Sequence, residues 1–110
     1  GILPGLGTSH LLPNLVGMAR AQELVLTAKK LLGTEAAEIG LVNKAVPKAD
    51  VLETTRAMAL EMAEVDPIVL RYAKHALHFG ARHTMAEAMK NEQAQSVALR
   101  AEREAAKSGA

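Results

Sequence analysis

From residue 51 onward, apolar side chains return every three or four positions, the spacing of one helix face. Val51, Thr55, Met58, Met62 and Val65 mark the first such face, and Asp50 followed three residues later by Glu53 reads as the capping box that opens it. Asp66-Pro67 is a second start signal, an N-cap acid followed by proline at the first helical position. The helix it opens carries Leu70, Ala73 and Leu77 on one face and stops at Gly80. Thr84 and Glu87 form a further capping box, and the last helix runs to about Ala105 with Ala94, Val97, Ala98 and Ala101 turned inward. Short links between these three helices predict antiparallel neighbours.

The first half is more broken. Residues 1–9 read as a loop punctuated by Pro4, Gly5 and Gly7, with Thr8 or Ser9 capping the next helical segment. A helical turn over His10–Leu15 ends near Gly17, and a helix from about Ala19 to Leu26 places Ala21, Leu24 and Val25 at helical spacing. Thr34 and Glu35 open another short helix, which Gly40 closes as a C-cap. Leu41–Val46 reads as a brief strand or extended segment stopped by Pro47, and the Ala-Lys-Ser-Gly-Ala tail is expected to fray. The predicted fold class is mainly α, several short helices and then three longer antiparallel ones. The division falls between 1–49, loop and short helices, and 50–110, a helical region.

Composition supports that class. Apolar residues make up 49% of the 110, too many for a disordered chain. The only aromatics are Tyr72 and Phe79, so the apolar positions are filled by Leu, Val, Met and Ala, which suits packed helices better than a sheet sandwich. Thirteen basic against twelve acidic residues leave a net charge of +1, which gives no reason to expect nucleic acid or an anionic membrane as partner. Without cysteine there is no disulfide, thiolate metal site or cysteine nucleophile. No apolar run reaches the roughly 18 residues of a spanning helix, and no basic n-region marks a signal peptide, so a cytoplasmic protein is expected. The absence of an initiating methionine fits a fragment, a processed product or a scar left by cloning.

The stretch Gly1-Ile-Leu-Pro-Gly-Leu-Gly-Thr-Ser-His-Leu-Leu-Pro-Asn-Leu-Val-Gly17 resembles the segment G-x-x-P-G-x-G-G-T-x-x-L-x-x-x-V-G of the enoyl-CoA hydratase/isomerase (crotonase) family. The register continues without a gap. Ala21-Gln-Glu-Leu-Val-Leu-Thr27 is similar to A-x-E-x-x-L-T-G, Glu35-Ala-Ala-Glu-Ile-Gly-Leu-Val42 to A-x-x-x-G-L-V, and Val46-Pro47 to the V-P beyond it. Ala73-Lys74 falls where the family has an Ala-Lys in a helix. Thr8 stands in place of a common glycine, Leu11 in place of a frequent arginine, and Ala28-Lys29-Lys30 where the family often has Gly, an acid and Arg. The usual E-G-x-x-A-F-x-x-K-R of the C-terminus has no counterpart.

The resemblance implies a chain drawn from the C-terminal helical region of the crotonase fold. Residues 1–49 would continue from a spiral core, and 50–110 would serve oligomerisation, with a trimer or hexamer as the implied assembly. The substrate would be an acyl-CoA thioester and no further cofactor is implied. In the family two backbone N–H groups stabilise the enolate oxygen, and in hydratases two glutamates handle water and the α-proton. The family places these groups before the position of Gly1, so no catalytic residue is carried over, and Glu23 matches a helix position outside the site. The substrate-adjacent positions are Gly5, Gly7 and Thr8, in a turn whose glycines permit close approach; a plain turn before a helix is the competing reading. A non-catalytic helical self-association module is the alternative from another class.

Other candidates are weaker. Arg71, His75, His78 and Arg82 step along one helix face, with Lys74 and His83 near, and read either as a solvated stripe or as a contact for CoA phosphates or an acidic partner. His75 and His78 have metal-ligand spacing but lack a third ligand, so no metal site is expected. Ser9-His10 lacks the surroundings of a nucleophile elbow. Gly5-Leu-Gly7-Thr8 lacks the lysine of a phosphate loop. Lys29-Lys30 is expected to be exposed, and Met58, Met62, Met85 and Met89 to be core.

Overall fold

The computed structural model describes residues 2–109 and contains six α-helices with no strand among them. The helices are α1 (Thr8–Val16), α2 (Met18–Leu26), α3 (Gly33–Glu38), α4 (Val51–Ala63), α5 (Pro67–Gly80) and α6 (Met85–Ser108). The chain divides into two compact units, one up to Thr54 and one from Thr55 onward.

In the first unit the Gly5 carbonyl accepts the Thr8 N–H at 3.0 Å. The two residues between, Leu6 and Gly7, both have positive φ, 55° and 86°, the sign pattern of a type I′ turn. This turn delivers the chain into α1 with Gly7, not Thr8 or Ser9, as N-cap and with no side-chain cap. The expected caps are therefore already inside the helix. Gly17, at φ 86°, ends α1 and starts α2 by itself: it donates to Pro13 O at 2.9 Å and accepts from Ala21 N at 3.0 Å. The reversal it allows packs α1 on α2 and buries Ala21 to 5% exposure, one of two buried residues among those described.

Two helix ends in this unit use the same device. After α3, Leu41 N–H reaches Ala36 O at 2.9 Å and Gly40 N–H reaches Ala37 O at 3.2 Å, a Schellman motif with glycine at φ 79°. After α2, Lys29 N–H reaches Leu24 O at 3.2 Å and Ala28 N–H reaches Val25 O at 3.3 Å, with an alanine at φ 51° in the glycine position. A left-handed non-glycine residue costs about 1–2 kcal/mol.

Three local expectations are corrected here. Leu32 rather than Thr34 precedes α3, and its N–H is taken by the Glu35 carboxylate at 3.0 Å. Leu41–Val46 forms no strand, since the amides of Leu41 and Val42 both turn back to Ala36 O. Asp50 lies in a 3-10 turn, Lys48–Asp50, with its N–H on Pro47 O at 2.8 Å, so the chain enters α4 already wound instead of from an extended cap.

In the second unit α5 and α6 form an antiparallel hairpin. Asp66 caps α5 by accepting Ile68 N–H at 2.9 Å. Thr84 caps α6 as expected: its hydroxyl accepts Glu87 N–H at 3.2 Å and donates to the Glu87 carboxylate at 2.8 Å. At one end of the hairpin Arg103 pairs with Asp66 at 3.1 Å; at the other, Gly80 sits beside Ala88, where an added Cβ would lie 3.7 Å from the alanine methyl.

The faces in contact differ from those the periodicity picks out. On α5 the half-buried residues are Ile68, Val69, Leu70, Tyr72, Ala76, Phe79 and Gly80, and on α6 they are Ala88, Asn91, Gln95, Ser96, Leu99 and Glu102. Leu77 is 73% exposed and Val97 68%, and Ala73, Ala94, Ala98 and Ala101 are exposed with them. Both helices therefore carry two usable faces. The pairing of Tyr72 and Arg71 with Glu102 lies on the contact side, and on α6 it leaves the apolar stripe of Ala94, Val97, Ala98 and Ala101 outside. The α4 face is largely exposed to solvent as well: Val51, Thr55, Met62 and Val65 are exposed and Met58 is half-buried. Met85 and Met89 are exposed too, so the methionines are not core as expected.

The accessible surface is 9058 Å². A compact chain of this mass would show about 5,900 Å², and two separate compact units of half the mass about 7,100 Å² together. Large exposed apolar side chains, Leu60, Leu77 and Val97 among them, contribute to that excess.

Candidate functional site

A cleft of about 620 Å³ lies wholly within the first unit. One wall is the entering loop, with Ile2, Leu3 and Leu6, all at least nine-tenths exposed. The opposite wall is α2, through Leu24 and Val25, followed by Ala28 and Lys29. Exposed apolar side chains gathered around a concavity mark a ligand groove more often than a bare surface. Lys29 stands as the cation of the lining, and Glu35 holds it at 3.4 Å. The Glu35 carboxyl lies below the usual carboxylate range, first because of the Leu32 N–H and then because of Lys29.

Of the substrate-adjacent positions read from the sequence, Gly5 and Thr8 line this cleft. Gly7 is not on the lining but makes the turn that shapes it. Leu24, Val25 and Lys29 are site residues that the sequence does not single out. Leu24 and Val25 repeat at helical spacing, which signals an inner helix face as readily as a pocket wall.

Of the basic stripe, Arg71 and the nearby His83 have partners within the chain. Arg71 bonds the Glu102 carboxylate, and the Tyr72 hydroxyl donates to its other oxygen at 2.9 Å. His83 stacks on Phe79 with ring centres 3.7 Å apart, and its Nδ1 lies 2.7 Å from the Phe79 carbonyl. His75 shares a second hollow, of about 250 Å³, with Arg71, Tyr72 and Gln95. Among the described residues no three metal-ligating side chains converge. The structure does not bring Ser9 and His10 together as a catalytic pair; the Asn14 amide instead donates to His10 O at 2.7 Å.

Arg71 and then Tyr72 hold the Glu102 carboxyl below its ordinary value near 4.5, while its bond raises both the Arg71 guanidinium and the Tyr72 phenol. Thr84 does the same to Glu87. A carboxyl whose folded value is depressed adds stability that is complete above the unfolded value and is lost as pH falls through the folded one. Thermal stability is thus expected to be flat from pH 7 to about 5 and to fall below about 4.5. Glu102→Gln should flatten part of that fall; an acid limb identical in wild type and variant would show that the Arg71–Glu102 pair contributes nothing.

A sequence model of the family described as enoyl-CoA hydratase/isomerase matches residues 1–109, and the chain belongs to that family. The short-chain-enoyl-CoA hydratase of Clostridioides difficile is 39% identical over 82 residues, 74% of this chain and 53% of that protein. The human enoyl-CoA hydratase domain-containing protein 2, mitochondrial, is 39% identical over 93 residues, 81% of this chain and 32% of that protein. The crystal structure of enoyl-CoA hydratase from Bacillus anthracis superposes with a TM-score of 0.82 at 33% identity, covering 87% of this chain and 37% of that one. The chain therefore has the helical portion of the crotonase fold and spans about a third to a half of the length of these relatives. Among the described residues no helix is long and apolar enough to cross a membrane.

Proposed function

We propose that the chain is the C-terminal helical part of an enzyme that hydrates or isomerises 2-enoyl-CoA thioesters. Its own share is one wall of the acyl site and the surface through which subunits assemble. The cleft between the Gly5–Thr8 turn and α2 supports the first role: its walls are mostly apolar, as an acyl chain requires, and Gly5 and Thr8 bring backbone close to whatever lies in it. Among the described residues that line the cleft there is no carboxylate. The acid–base steps therefore belong to other residues of the intact enzyme, and this chain binds, orients and excludes water.

The observation that carries the second role is the outward apolar stripe on α5 and α6, with Leu77 and Val97 as its large members. Large apolar side chains exposed on neighbouring helices fit a partner surface, and a second copy is the partner proposed. The expected assembly is a trimer or a pair of trimers. Light scattering after size-exclusion chromatography should return a mass that is a multiple of one chain; a clean monomer at micromolar concentration contradicts the assembly role. A non-catalytic self-association module would draw on the same stripe but leaves the cleft without a use, so acyl-CoA binding separates the two readings.

A further inference from the structure

Two non-glycine residues have positive φ among those described, Leu6 and Ala28, and both line the same cleft. They come from unrelated pieces of backbone. Leu6 occupies the first central position of a turn whose sign pattern favours Gly, Asn or Asp, with Gly5 before it and Gly7 after it. Ala28 occupies the left-handed position of the Schellman motif that ends α2, where α3 uses Gly40 for the same motif. Neither conformation is offset by burial of its side chain: Leu6 is fully exposed and Ala28 is exposed. Glycine would relieve both positions with little loss of burial. Strain kept without a structural return points to what the side chain does in the site.

We infer that Leu6 and Ala28 set the length of acyl group the cleft admits, Leu6 as the main stop and Ala28 as a lesser one on the facing wall. Each puts apolar atoms into the space between the entering loop and α2. Leu6 adds four side-chain carbon atoms to a lining that also holds Leu24 and Val25, and Ala28 adds a methyl next to Lys29 in the chain. The natural ligand is therefore a short acyl thioester, and removing either side chain opens room for a longer one. This rests on the acyl-CoA reading proposed above.

The test uses the full 110-residue chain, as wild type, Leu6→Gly and Ala28→Gly, titrated calorimetrically with butyryl-CoA and octanoyl-CoA, saturated thioesters that cannot be hydrated. Leu6→Gly should shift the ratio of affinities toward octanoyl-CoA by about tenfold, the worth of burying one to two further methylenes, and Ala28→Gly by about threefold. Relief of strain should also raise the melting temperature of each variant by about 4 °C or more. If all three proteins bind both thioesters in the same ratio, the length-setting role is overturned while the acyl-CoA reading stands. A lower melting temperature in both variants overturns the claim of strain and the inference drawn from it. If no protein binds either thioester, the acyl-CoA reading fails and takes this assignment with it.

Discussion

Val97→Glu is expected to turn the assembled chain into monomers while leaving its helices intact. Val97 is 68% exposed near the middle of α6, on the stripe formed with Ala94, Ala98 and Ala101. Glutamate is as good a helix former as the position requires, so far-ultraviolet circular dichroism should not change. In an assembly that covers the stripe, the new carboxylate would have to leave water without a partner, a penalty of several kcal/mol at every copy of the interface. The mass from light scattering should fall to that of one chain. An unchanged oligomer would show that the covered surface is not this stripe but lies elsewhere, as on α4.

Phe79→Ala should give the largest loss of intrinsic stability of any single truncation in the α5–α6 hairpin. Full burial would make such a change worth about 3–5 kcal/mol by the usual range. Phe79 is half-buried, and it also supplies the ring on which His83 stacks, so about 2 kcal/mol is the expected cost. For a chain of this size that is a drop of about 10 °C in melting temperature. The contrast is Leu77→Ala, two residues earlier and 73% exposed, which should cost under about 0.5 kcal/mol when both are measured in the monomeric Val97→Glu background. Equal losses would mean that the hairpin packs through the Leu70–Ala73–Leu77 face after all.

That contrast also shows where the sequence was legible. Helix starts with a side-chain mechanism were: Asp66 before Pro67, and the Thr84–Glu87 box, each appear with the expected hydrogen bonds. Gly17 and Gly40 were legible as stops because each needs a positive φ that glycine supplies. The inward faces of α4, α5 and α6 were not. Periodicity finds the most apolar stripe of a helix but does not say whether the same chain or another covers it. In α6 the stripe of Ala94, Val97, Ala98 and Ala101 was the natural choice, and a polar network around Glu102 took the contact instead. The start of α1 was misplaced for a different reason. Thr8 and Ser9 are favourable caps by type, but the turn through Leu6 and Gly7 winds the chain before it reaches them.

The cleft was half legible. Its glycines and Thr8 come from one continuous stretch, so a motif in the sequence finds them. The facing wall of Leu24, Val25 and Ala28 comes from the next helix and its end, and only the fold of α1 against α2 brings it across. The left-handed conformation at Leu6 and Ala28 had no warning in residue type, since both are poor choices for it; the family pattern, with glycine after Leu-Thr, points to the conformation at residue 28 but not to the retained methyl.

The central claim is that this chain builds one wall and the assembly surface of an enoyl-CoA enzyme but holds none of the acid–base carboxylates. Its most direct test is the loss of the conjugated enoyl absorbance of crotonyl-CoA in the presence of the purified 110-residue chain. The account predicts a rate indistinguishable from buffer, and turnover well above buffer that scales with protein concentration would contradict it.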